Sequence, residues 1–81
     1  MHTRADIDTF VKNYLYINMH QDVEIKLKDN LKDDLGMDSL DIIEFVMELE
    51  KKYEIAIPDT DIEPWKTVND VGNYLVERLN K

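Results

Sequence analysis

The residues with the clearest potential for chemistry lie in the segment 34–41, DLGMDSLD. Ser39 is predicted to begin a helix, directly after Asp38, which is a favourable N-cap. Gly36 frees the backbone just before it, so the hydroxyl should project into solvent. The amide groups and dipole of the helix start would stabilise a phosphodiester there, whereas Asp38 and Asp41 would oppose it. Helix signals alone favour the simpler interpretation, that Ser39 merely begins a helix.

The helix that follows Ser39 carries two apolar faces. The first is wide enough to face a core and consists of Ile42, Phe45, Val46, Leu49 and Tyr53. The second face consists of Leu40, Ile43 and Met47. Acidic residues border it, namely Asp38, Asp41, Glu44 and Glu48. An ordinary amphipathic helix needs only one such face. The second is therefore either a docking surface, for which flexible methionine is suited, or a side buried in a tight bundle, and the sequence leaves both open.

Helical periodicity also dominates the rest of the chain. Helices are predicted at about Arg4 to Ile17, Ser39 to Tyr53, Asp59 to Glu63 and Val68 to Leu79. The long connection 18–38 is polar, although its segment 23–27 alternates like a strand without an obvious partner. Trp65 is expected to plug the core. The sequence thus predicts an all-α fold, a small bundle of three main helices plus one short helix, in a single domain spanning 1–81.

Composition excludes several function classes. The chain has 18 acidic and 10 basic residues, a formal net charge of −8, and no cysteine. The absence of cysteine excludes a disulfide framework, a thiolate zinc site and a cysteine nucleophile. An acidic surface repels nucleic acid and attracts proteins with basic patches. No apolar run approaches the roughly 20 residues that span a membrane, and the cytoplasm is the expected location.

Catalytic and metal constellations are also missing from the sequence. The two histidines, His2 and His20, are far apart, and neither lies beside a plausible nucleophile. An EF-hand-like loop with Gly36 at its sixth position would place Leu31, Leu35 and Ile42 at ligand positions, where they cannot bind calcium. The sequence therefore predicts that this chain is not an enzyme and has no metal site.

Beyond these patterns, the chain resembles the acyl carrier proteins from its first helix to about Leu79. The most specific part is DLGMDSLD, and the remaining matches are Glu44, Val46-Met47, Leu49-Glu50, Ile57-Pro58-Asp59 and Thr67-Val68. In that family a phosphopantetheinyl transferase uses coenzyme A to attach a 4'-phosphopantetheine arm to the motif serine, which corresponds to Ser39. The thiol of the arm holds acyl groups as thioesters, which would allow a chain without cysteine to carry thiol chemistry.

The resemblance also implies partners. Acyl-transfer and chain-elongation enzymes with basic patches would dock on the second helix, and the protein is expected to be a monomer. The implied contacts are Asp38, Leu40, Asp41, Ile43, Glu44, Met47, Glu48 and Glu50. Growing acyl chains would be sheltered between the helices.

Several residues depart from the family pattern and leave the pathway open. Lys51 and Lys52 interrupt the acidic run of the second helix, Pro64-Trp65 is unusual, and the connection is rich in lysine. The chain is expected to serve fatty-acid synthesis or a specialised polyketide or lipid pathway. The alternative from a different class is an acidic helical adaptor that docks through the same face and is never modified.

Overall fold

The computed structural model describes residues 2–19 and 24–80, which form four helices and no strand. The helices are α1 (Arg4–Asn18), α2 (Ser39–Tyr53), α3 (Asp59–Ile62) and α4 (Val68–Leu79). The predicted all-α fold of three main helices and one short helix is confirmed. His20 and Val23 lie outside the described residues.

Helix α3 ends at Ile62, one residue before the predicted end, with Glu63 as its C-cap. The amide of Glu63 still donates to the Asp59 carbonyl at 3.2 Å. The next residue, Pro64, has no amide hydrogen to continue the pattern. The helix therefore ends just before Trp65, whose amide donates to the Ile62 carbonyl at 2.9 Å.

The core lies between α1, α2 and α4 and is closed on one side by the connection. Its buried apolar side chains are Ile7, Val11, Leu15, Ile25, Leu31, Leu35, Met37, Phe45, Val46, Leu49, Tyr53, Ile57, Trp65, Val68, Val71 and Leu75. Trp65 is 9% exposed, which confirms that it plugs the core. Burial of this apolar surface is the main force that holds the helices together.

The connection between α1 and α2 is fixed to the start of α4 by backbone hydrogen bonds. The amides of Asn69 and Val68 donate to the carbonyls of Leu27 and Asp29 at 2.8 and 3.0 Å. The amide of Leu31 donates to the Lys66 carbonyl at 2.8 Å. Residues 24–27 form no strand, although the alternation of segment 23–27 resembles one.

Helices α1 and α4 pack closely at Gly72. A Cβ at this position would lie 2.6 Å from the Nε of Arg4, so glycine leaves room for the guanidinium group in its observed position. Arg4 donates to the side-chain oxygens of Asp8, Asn73 and Asn69 at 2.8, 2.7 and 2.6 Å. The helical glycine, which costs about 1 kcal/mol relative to alanine, thus makes room for a polar clasp between the two helices.

A capping box begins α4. The amides of Lys66 and Thr67 donate to Oδ2 of Asp70 at 2.8 and 3.0 Å, and the Asp70 amide donates to the Thr67 hydroxyl at 3.2 Å. The backbone hydrogen bonds from Thr67 and Lys66 lower the pKa of Asp70 below its ordinary value of 3.8, despite partial burial of the carboxylate. The folded state therefore favours the ionised carboxylate of Asp70.

This pKa shift predicts part of the acid sensitivity of the fold. The stabilisation from Asp70 is present above the pKa of the unfolded chain and is lost as pH falls through the lower pKa of the folded state. Asp70→Asn keeps an acceptor oxygen but loses the charge, so it should cost up to about 1 kcal/mol at neutral pH. Measured by urea unfolding, the Asp70→Asn variant should lose less stability than wild type as pH falls from about 5 to 3. The control is Glu77→Gln, near the other end of α4. Equal losses of stability on acidification in wild type and Asp70→Asn would contradict the role given to Asp70.

Candidate functional site

The start of α2 is held by a reciprocal capping box. The Asp41 amide donates to Oδ1 of Asp38 at 2.9 Å, and the Asp38 amide donates to Oδ2 of Asp41 at 3.1 Å. Asp38 is therefore the N-cap of α2, as the sequence predicted. Both carboxylates are thus engaged with the backbone beside Ser39.

The loop before α2 presents Ser39 by anchoring the residues that precede it. Leu35 and Met37 are buried, while Gly36 between them has a φ of +70°. A Cβ on Gly36 would meet no atom within 4 Å, so glycine is favoured here by backbone geometry alone. Ser39 itself is exposed and, within the described part of the chain, its hydroxyl makes no hydrogen bond. The local structure therefore offers a free nucleophilic oxygen at a fixed place.

An open apolar groove of about 560 Å³ extends from Ser39 along α2. It is lined by Lys32, Ser39, Ile42, Ile43, Val46, Met47, Glu50, Ile57, Asp59, Ile62, Glu63 and Trp65. The α2 wall runs from Ser39 to Glu50, which corresponds to roughly 16 Å at 1.5 Å per residue. The opposite wall is built from α3 and its flanking residues. An extended apolar chain would fit this shape.

Glu50 joins the two walls at the far end of the groove. Its Oε2 accepts a hydrogen bond from the Ile57 amide at 2.8 Å. Because the side chain is half-buried and already bonded, it differs from the exposed carboxylates on the same helix. Glu50 was predicted as a docking residue, and in the structure its carboxylate also supports the groove by holding the backbone of Ile57.

A hydrogen-bonded cluster around the Tyr74 hydroxyl holds the groove wall that contains α3. The Tyr74 hydroxyl donates to Oδ2 of Asp61 at 2.7 Å and accepts from Nη1 of Arg78 at 2.7 Å. The Trp65 ring packs edge-on against Tyr74, with ring centroids 5.4 Å apart. Burial, and then the hydrogen bond to Asp61, raise the pKa of Tyr74, so its hydroxyl remains a donor. The sequence did not predict this cluster, because no local spacing connects Asp61 and Trp65 with the Tyr74–Arg78 pair on α4.

The second apolar face of α2 is a free surface. Leu40, Ile43 and Met47 are 62%, 56% and 60% exposed. The interpretation that the bundle buries this face is therefore wrong. Glu44 and Glu48 are exposed along its border. The result is an apolar strip with an acidic edge, beginning at Ser39.

Tyr14 of α1 shows how concentrated the negative charge is on that edge. Its ring stacks on Phe45, with centroids 5.3 Å apart. Burial raises the pKa of Tyr14 first, and the nearby carboxylates of Glu48, Glu44 and Asp41 raise it further. A cationic side chain of a partner would be attracted to the same carboxylates.

Residues 11–75 match the family described as "Phosphopantetheine attachment site". Over 58 residues the chain is 50% identical to an acyl carrier protein of Clostridium perfringens, covering 72% of this chain and 76% of that protein. It is 39% identical to an acyl carrier protein of Campylobacter jejuni subsp. doylei, over the full length of both. The chain belongs to the acyl carrier protein family.

A solved structure described as an acyl carrier protein from Mycobacterium tuberculosis superposes on this chain with a TM-score of 0.82. The two are 30% identical, and the match covers 89% of this chain and 97% of the other. Acyl carrier proteins are carriers and not enzymes, and their prosthetic group is 4'-phosphopantetheine. The predictions of family, fold, prosthetic group and absence of enzymatic activity are therefore confirmed.

The residues of this carrier fit that prosthetic group. A phosphopantetheine arm requires an accessible serine hydroxyl, and Ser39 is exposed and is the only serine in the sequence. The amides and dipole at the start of α2 would stabilise the negative phosphodiester, although Asp38 and Asp41 lie beside it. Within residues 2–19 and 24–80 no cluster of side chains could hold a metal ion, and no helix is long and apolar enough to cross a membrane.

Proposed function

We propose that this carrier holds acyl intermediates as thioesters on a 4'-phosphopantetheine arm attached to Ser39. The observation that supports this most strongly is the free hydroxyl of the only serine, fixed between the capped start of α2 and an apolar groove. The arm comes from coenzyme A through a phosphopantetheinyl transferase. The whole chain, 1–81, acts as one carrier domain, as a monomer in the cytoplasm.

The docking surface proposed for partner enzymes is the exposed face of α2. Its apolar contacts are Leu40, Ile43 and Met47, and its acidic contacts are Asp38, Asp41, Glu44 and Glu48. Long-range charge sets the rate of encounter, and the small apolar strip sets the register. Each exposed ion pair contributes only about 0–1 kcal/mol, so a partner can be released quickly. Glu50, the remaining predicted contact, acts at the edge of this surface through the loop it holds.

The groove is the proposed shelter for the cargo. Its wall includes Ile42, Val46 and Ile62, which offer apolar surface next to Ser39. Burying a methylene group in such surroundings is favourable by about 0.8 kcal/mol. Acyl intermediates of fatty-acid synthesis, or of a related polyketide or specialised lipid pathway, have the apolar chains that would use it.

Thiol titration tests the carrier chemistry. The sequence has no cysteine, so any thiol in the purified protein belongs to the arm. Incubation with coenzyme A and a broad-specificity transferase should create a single maleimide-reactive thiol per chain. Acylation should remove it, and hydroxylamine should restore it because thioesters are cleaved by that reagent. If the same transferase modifies another carrier but this chain gains no thiol, the proposal is wrong.

A further inference from the structure

Lys32 differs from the other charged residues of the groove. Glu50, Asp59 and Glu63 also line it, but Lys32 is the only cation among the lining residues and shares the groove with Ser39. The protein as a whole carries a net charge of −8. Lys32 is therefore the one positive charge that this lining offers to an anionic group.

The backbone on both sides of Lys32 is fixed, so its side chain starts from a defined position. Its amide donates to Oδ1 of Asn30 at 2.9 Å, and its carbonyl accepts from the Gly36 amide at 3.0 Å. The preceding residue, Leu31, is bonded to the Lys66 carbonyl next to Trp65. These bonds fix Lys32 between the serine loop and the opposite wall of the groove.

The ammonium group of Lys32 has no anionic partner in the described part of the chain, where the only ion pair joins Arg4 and Asp8. The nearest acidic residues to Ser39 along the chain, Asp38 and Asp41, are engaged in the capping box. Lys32 thus remains available to a group that enters the groove from Ser39.

A phosphodiester on Ser39 would meet opposing fields. The amides and dipole of α2 favour it, while the carboxylates of Asp38 and Asp41 repel it. The helix start offers the phosphodiester one amide fewer, because the first-turn amide of Asp41 already donates to Asp38. A mobile ammonium group on a long side chain could approach the phosphate oxygens and offset the two carboxylates.

We propose that Lys32 is the positioning residue for the phosphodiester of the arm, pairing with its oxygens and directing the arm along the groove. This inference rests on the proposed attachment of the arm to Ser39. The bond to Ser39 does not depend on Lys32; the ion pair orients an arm that is already attached.

Phosphorus-31 spectroscopy of the arm-bearing protein tests the ion pair. The free-thiol form is used, because the phosphodiester is then the only anionic group on the arm. Lys32→Gln should shift the phosphodiester resonance relative to wild type, and Lys32→Arg should restore it. Lys28→Gln is the matched control, since Lys28 is exposed on the same connection and does not line the groove. At about 1 M salt, where the screening length falls to about 3 Å, the difference between wild type and Lys32→Gln should largely disappear.

The outcomes separate this inference from the proposed function. If wild type gains the arm but Lys32→Gln gives the wild-type spectrum at low salt, Lys32 does not pair with the phosphodiester. The proposed carrier function is then unaffected. An equal shift in Lys28→Gln would show a general charge effect and would also overturn the ion pair, as would an arginine variant that behaves like glutamine. If intact mass shows no arm on wild type, the proposed function fails and the inference fails with it.

Discussion

Phe45→Ala is expected to leave the domain unfolded at room temperature. Phe45 is fully buried in the middle of α2 and stacks on Tyr14 of α1. Truncation of a buried phenylalanine costs about 3–5 kcal/mol, and a core of this size supplies only about 3–5 kcal/mol of net stability. The cost therefore approaches the whole stability of the fold. Circular dichroism should show lost helicity and no cooperative thermal transition.

Leu40→Ala is the matched control for Phe45→Ala. It also removes a large apolar side chain from α2, but Leu40 is 62% exposed. Surface substitutions usually change stability by no more than about 0.5 kcal/mol, so the melting temperature should move by only about 2–4 °C. A cooperative transition for Phe45→Ala close to that of Leu40→Ala would contradict the assigned core.

The double reversal Glu44→Lys/Glu48→Lys is expected to slow modification by the transferase and acyl loading about tenfold at low salt, the lower end of the range for electrostatic steering. Both residues are exposed, and neither forms a cap, whereas Asp41 also holds the start of α2. The helix should therefore remain folded. Steady-state rates at several salt concentrations measure the effect, which should shrink as added salt screens the charges.

The control for this reversal is Glu24→Lys/Glu77→Lys. It makes the same change in net charge, from −8 to −4, at exposed positions outside α2. If position matters, the control should lose much less rate than the α2 variant. Equal rate losses would show that net charge alone governs association, and unchanged rates in both would remove α2 from the docking model.

Local sequence signals were sufficient for the main helices. The bounds of α2 and α4 agree with prediction because Asp38 and Thr67 are N-caps whose capping boxes are visible in the sequence. The core side of α2 also followed from its periodicity. These features depend on residues within one or two helical turns, and the sequence contains that information directly.

Features that depend on how elements pack could not be predicted in the same way. Whether Leu40, Ile43 and Met47 were buried depended on which sides of α2 the other helices cover. The Asp61–Tyr74 hydrogen bond joins residues 13 positions apart across a turn, and no local pattern signals it. The hydrogen bond from the Ile57 amide to Glu50 could not be predicted for the same reason, because it joins α2 to the backbone of a separate loop.

Intact mass before and after incubation with coenzyme A and a broad-specificity phosphopantetheinyl transferase tests the central claim most directly, with Ser39→Ala as the control variant. Alanine is well tolerated in a first helical turn, and the Ser39 hydroxyl makes no hydrogen bond in the described structure, so the control should melt like wild type. We predict that wild type gains the mass of one 4'-phosphopantetheine arm and that folded Ser39→Ala gains nothing. No gain by folded wild type with an active transferase, or an equal gain by Ser39→Ala, would contradict the proposal that this carrier works through Ser39.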